Sequence, residues 1–250
     1  MARAANKSGS DSSERGADLL AREIEGVRGM MASHASDPET YRAMDLLRHW
    51  QADRLARTYA DMISSERYRP ATEFFLSDIY GAKDFTERDQ AVVRAYPIMV
   101  RTLPDSALHT IAVAVQVHVL TSELDRQMWR VLTEELGVGD RFSESQYVEA
   151  FRRCDNRAAR DRQLGLVRRV GEDLDRVVAK PGIYHLLRLA RKPARLAGFG
   201  ELQEFLERGF AAFRHMGSGA EFVQTITRRE TAIMDRIFAR HPHPLDLDAD

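Results

Sequence analysis

Residues 107–120, ALHTIAVAVQVHVL, are hydrophobic on nearly every face of a helix, and this stretch limits the fold more than any other. In a chain with 30% charged residues it reads as a buried central helix packed on several sides, spanning about 105–136 and stopping at Gly137. No run alternates apolar and polar residues beside a hairpin turn, so strand signals are lacking. The expected fold class is therefore all-α: one bundle of eight to ten helices wrapped around residues 105–136.

The surrounding helices follow from spacing and punctuation. Leu20, Ile24, Val27 and Met31 recur at i, i+4, i+7 and i+11, one apolar stripe on a first helix over about 16–34. Asp37 ahead of Pro38 is placed to cap a second helix running to about 67, with Met44, Leu47, Leu55 and Met62 inward. Pro70 breaks that helix, a short one follows through ATEFFLSDIY, and Gly81 stops it. Thr86 with Asp89, and Ser143 with Gln146, stand three apart as capping-box pairs. Further helices are expected over roughly 156–179, 182–192, 200–216 and 220–240, divided by Pro181, Pro193 and the GSG at 217–219. The small polar opening is expected to be a disordered tail over 1–15, without the apolar core of a signal peptide; the helical domain spans 16–241, and 242–250 is a loose end.

Charge is nearly balanced, 37 basic against 38 acidic residues, so no overall field draws the chain to nucleic acid. The single cysteine, Cys154, allows no internal disulfide and suits a cytoplasmic location. Glu-x-x-His pairs and HEXXH are absent, and GFG and GSG are too short for a phosphate loop, so no metal and no cofactor are expected. No membrane span is expected either.

RYRPATEFFLSDIYGAKDFTERD at 67–89, followed by YPIMVRTLPDSALHT at 96–110, resembles a group of uncharacterised bacterial proteins named for an FFLEELY motif. Here the motif reads Phe74, Phe75, Leu76, Ser77, Asp78, Ile79, Tyr80, so Ser77 and Asp78 replace two glutamates and Ile79 a leucine. ELQEFLERGFAAF and TITRRETAIMDRIF extend the likeness toward the C-terminus. The resemblance implies no activity, cofactor or catalytic residue.

A few polar residues fall where apolar ones are expected. Asp78 shares a stripe with Ala71, Phe74 and Phe75, and Glu230 lies among Val223, Ile226, Ile233, Met234 and Ile237. A sheltered carboxylate must be protonated, bonded to amides or paired with a base. Either acid is then a structural anchor held by an arginine or, alternatively, the polar group of a site. His118, Ser122 and Asp125 share one side of the central helix, but three groups on consecutive turns do not converge as a hydrolase triad. Arg188, Arg191, Lys192 and Arg195 form a candidate anion patch, equally readable as a solvated helix face.

These residues support a non-catalytic cytosolic binding or interaction protein. Its candidate partners are a second copy or another protein, docked on the amphipathic first helix. The alternative is a helical pocket lined by Phe74, Phe75 and Tyr80 that binds an apolar small molecule, or acts on it by acid-base chemistry through Asp78 or Glu230.

Overall fold

The computed structural model describes residues 14–79 and 85–247. Among these the chain is all-α, without strands, in twelve helical segments. They are α1 (Gly16–Ser36), α2 (Pro38–Ala43), α3 (Asp45–Thr58), α4 (Ala60–Ser64), α5 (Arg69–Phe74), α6 (Thr86–Thr102), α7 (Asp105–Arg130), α8 (Glu144–Arg153), α9 (Arg157–Val178), α10 (Ile183–Leu196), α11 (Gly200–Met216) and α12 (Ala220–Phe238). Phe75–Ile79 and Val131–Glu135 prolong α5 and α7 as single π-helical turns.

The segments outnumber the expected eight to ten because residues 37–67 are cut into α2, α3 and α4. Tyr59 interrupts the run at φ −113° and ψ 23°, which lets its side chain turn inward until it is fully buried. Asp37 caps α2 by accepting the Thr40 amide at 3.1 Å, and Ser143 and Gln146 close a reciprocal capping box on α8. The Thr86–Asp89 pair does not cap: α6 begins with Phe85 at its N-cap and no side-chain bond there. α10 also runs past its expected end, through Pro193 to Leu196.

α7 holds the bundle together, with α1 on one side and α9 on another. The stripe foreseen on α1 is real: Leu20, Ile24 and Val27 are fully buried against Leu108, Ala112 and Val113 of α7. That burial withdraws α1 as a free docking face. α9 also packs on α12, α5 on α11 and α11 on α10. Two further cores complete the bundle. One joins Leu47, Trp129, Tyr147, Phe151 and Ile237; the other joins Leu55, Tyr59, Phe75, Phe213 and Phe222. The segment after α12, expected to be loose, folds back as far as it is described: Pro244 is buried, and Leu245 and Leu247 pack on the first of these cores.

The central helix is packed on several sides, as expected, but not on all of them. Ala114 of α7 is exposed although its neighbours Val113 and Val115 are buried, because one face of α7 looks into a hollow. α7 with its π-turn, Asp105–Glu135, is the one element among the described residues long and apolar enough to cross a membrane, and here α1 and α9 flank it.

Candidate functional site

The hollow is a cavity of about 1110 Å³ running beside α7. Thr110, Ile111, Ala114, Val117, His118, Thr121, Ser122 and Asp125 line it at i, i+1, i+4, i+7, i+8, i+11, i+12 and i+15, one continuous helix face. At a rise of 1.5 Å per residue that face is about 22 Å long. Val170, Gly171, Leu174 and Val177 of α9 line it too, with Phe205, Gly209, Phe210 and Phe213 of α11 and Phe222, Val223 and Ile226 of α12. The walls are chiefly aliphatic and aromatic. Each helix contributes an apolar stripe that the sequence cannot distinguish from a stripe facing a solid core.

Phe74, Phe75 and Asp78 belong to this wall. The Phe74 ring lies flush on the backbone of Gly209, where a Cβ would come within 2.8 Å of its Cζ, and it meets Phe205 at 5.3 Å between centroids. Phe75 meets Tyr59 edge-on at 6.2 Å. Asp78 sits in the π-turn, a wide turn that shifts the register of the side chains following it. Its carboxylate is buried; Oδ1 accepts Arg208 Nη2 at 2.7 Å and Oδ2 accepts the Ser77 hydroxyl at 2.9 Å. Arg88 of α6 donates to the Asp78 carbonyl at 2.8 Å, with its guanidinium against the rings of Phe85 and Phe205 at 4.0 and 4.8 Å. Burial draws the Arg88 pKa down, against the opposing pull of Asp89, Glu201 and Asp78. Sequence reasoning missed Arg88; its spacing from Phe85 is the only local hint. Tyr80, the remaining pocket candidate of the motif, lies outside the described residues.

One group of polar residues lies toward the C-terminal end of the α7 face. His118 Nε2 stands 2.9 Å from Asp89 Oδ1, close enough for an ion pair but off the line of a hydrogen bond, so Nε2 has no hydrogen-bond partner among the described residues. Asp89 is therefore turned to the cavity and not to the helix start where the sequence placed it. His34 of α1 stacks on Tyr41 at 4.0 Å, and its Nε2 lies 3.4 Å from Ser122 Oγ. Burial first, then the cations Arg48 and Arg126, hold His34 down at about 4, so its ring is neutral at physiological pH. Asp125 accepts Gln51 Nε2 at 3.1 Å, and burial pushes its carboxyl upward against the weaker effects of Gln51, Arg160 and Arg48. His118, Ser122 and Asp125 thus take three different partners and make no triad. They provide one hydrogen-bonding end of the channel; His109, Thr110, Arg169 and Asp173 line it near the start of α7.

Glu230 is not part of the cavity wall. It accepts Arg54 Nη1 at 2.6 and 2.8 Å and the Tyr59 hydroxyl at 2.9 Å, tying α12 to α3. Burial opposes charge on Arg54, but Glu230, Tyr147 and Tyr59 more than reverse this and raise its pKa. The four residues of the anion patch are all exposed on α10. Arg191 pairs with Glu207 and Arg195 with Glu204 of α11, while Arg188 stands 5.9 Å from the centre of the Tyr184 ring. Among the described residues no three His, Cys, Asp or Glu side chains converge as metal ligands.

Residues 30–244 match the family model of a domain of unknown function, DUF8198, and the chain belongs to that family. No curated protein and no solved structure matches it.

Proposed function

We propose that the protein is a helical carrier or receptor for an elongated apolar small molecule, held along α7 with its polar end toward His34, Ser122 and Asp125. The observation that carries this reading is the cavity. At about 1110 Å³ it is slightly larger than the usual ligand site, and its chiefly apolar walls with convergent polar groups have the composition of such sites. A void of this size lined by leucine, valine and phenylalanine forfeits dispersion contacts along every wall, a loss that an apolar occupant would recover. In this reading the FFLEELY-like segment is the wall that Phe74 and Phe75 build, with Asp78 as its anchor to α11. The acid-base alternative has less support, because Asp78 and Glu230 are each taken up by an arginine.

The test is native mass spectrometry of the purified protein, combined with titration by an apolar fluorophore that brightens out of water. Ala114 lies on the cavity wall with its methyl group open to the hollow, so Ala114→Trp should fill the channel without displacing the core. Wild type should retain a small molecule or take up the fluorophore with saturation, and Ala114→Trp should lose at least tenfold in uptake at an unchanged helical signal. Wild type that is empty and takes up no fluorophore would defeat the proposal.

A further inference from the structure

We infer that α10 is a membrane-surface helix, which seats the mouth of the cavity on an anionic lipid bilayer so that the apolar ligand passes between bilayer and protein; this rests on the ligand-binding reading above. Leu186, Leu189 and Leu196 are 62, 74 and 91% exposed, and with Pro193 they recur at i, i+3, i+7 and i+10 as one uncovered apolar stripe. No residue of α10 is buried.

Charge complementarity identifies the occupant. From Lys180 to Gly200 the sequence holds Lys180, Arg188, Arg191, Lys192 and Arg195 and no acid. Glu207 and Glu204 engage Arg191 and Arg195, which leaves Arg188 and Lys192 exposed, without a salt bridge among the described residues, on the flank of the leucine stripe. A basic amphipathic helix with uncovered leucines is the pattern that lies in the headgroup region of an anionic bilayer. A second copy of the chain is a poor occupant, since two such faces would bring like charges together. The stripe is also continuous with the cavity: Leu186 is both a wall residue and a surface one, and Ile183 and Leu187 line the hollow from the same helix. An elongated apolar ligand is sparingly soluble in water, so a route through the surface that touches lipid spares it exposure.

The test is flotation of the full chain with vesicles of phosphatidylcholine alone and of phosphatidylcholine mixed with the anionic lipid phosphatidylglycerol, whose negative surface attracts basic segments. Wild type should float with the anionic vesicles, tenfold or more above its level with the neutral ones, and lose this at high salt. Leu189→Glu with Leu196→Glu, neither of them a cavity residue, should abolish flotation, and Arg188→Glu with Lys192→Glu should reduce it at least tenfold. Fluorophore uptake without vesicles should be the same in wild type and both variants. Wild type that takes up the fluorophore but ignores anionic vesicles overturns this inference alone and leaves the stripe to a protein partner. Wild type that is a dimer in solution, and becomes a monomer on Leu189→Glu with Leu196→Glu, overturns it in favour of a self-association face. Flotation without fluorophore uptake would sustain α10 as a membrane helix and sink the ligand reading instead.

Discussion

Arg208 of α11 donates through Nη2 to Asp78 Oδ1 at 2.7 Å, joining two residues 130 positions apart and clamping the π-turn at the end of α5 to the neighbouring wall helix. α5 is only six residues long, too short to hold a helix by itself, so the clamp supplies tertiary support that its backbone lacks. Asp78→Asn keeps the shape and removes the charge. It should destabilise by about 1–3 kcal/mol, toward the lower end because the Arg208 side chain is half-exposed and screened. Thermal unfolding of wild type and variant side by side decides this, and an equal or higher midpoint for Asp78→Asn would refute the clamp.

Two other acids, both partly buried, should respond in opposite directions. Glu230→Gln leaves Arg54 charged in the interior with Nε already lacking an acceptor, and breaking a buried pair of this kind costs about 3–5 kcal/mol. Asp125 is the reverse case. Its pKa is raised by burial, so the charged form is disfavoured inside the fold; stability is greatest below the ordinary carboxylate range and falls as pH rises through the shifted value. Asp125→Asn keeps an Oδ1 acceptor for Gln51 and removes the charge, and at pH 7 its midpoint should equal or exceed that of wild type. Urea titrations of both variants at pH 7 test the pair, and losses of equal size would contradict the assignment.

Much of the architecture is legible in the sequence, because proline, glycine and capping residues act locally: Asp37 before Pro38, Ser143 with Gln146, and Gly137 at φ +62° each do what their neighbours imply. The cavity is not legible. A stripe such as Val170, Gly171, Leu174 and Val177 satisfies the same spacing whether it faces a filled core or a hollow, and only the meeting of α5, α7, α9, α11 and α12 determines which. Partner choice is hidden for a similar reason. The sequence shows that Glu230 needs a base, but Arg54 lies 176 residues away and looks no different from the other arginines. Thr86 and Asp89 misled through correct spacing: a cap competes with any tertiary partner, and His118 drew Asp89 into the cavity.

His34 should give the protein an acid-sensitive limb. Its folded-state pKa, about 4, lies below the ordinary 6.5, so the unfolded chain binds the extra proton first. The stability it contributes is complete above pH 6.5 and drains away as pH falls toward 4. Midpoints measured from pH 7 to pH 4.5 should decline in wild type, and His34→Gln should flatten that decline while leaving the neutral-pH value near wild type. Parallel curves for the two proteins would show that other groups carry the acid response.

The seating of α1 on α7 depends on one missing side chain. Gly16 opens α1, and a Cβ there would lie 2.3 Å from the Asp105 carbonyl oxygen and 2.6 Å from the His109 amide nitrogen, both backbone atoms that cannot rotate aside. Gly16→Ala must therefore push α1 off the first turn of α7, disturbing the contact that buries Leu20 and Ile24. Gly29, in the same helix, faces open space: a methyl group added there would meet nothing within 4 Å, so Gly29→Ala gains helix propensity with no steric cost. The first substitution should cost about 1–3 kcal/mol as overpacking and the second should stabilise by about 0.5–1 kcal/mol. Chemical denaturation of both gives the comparison. If Gly16→Ala matched Gly29→Ala in stability, the close approach of α1 to the α7 backbone would be wrong.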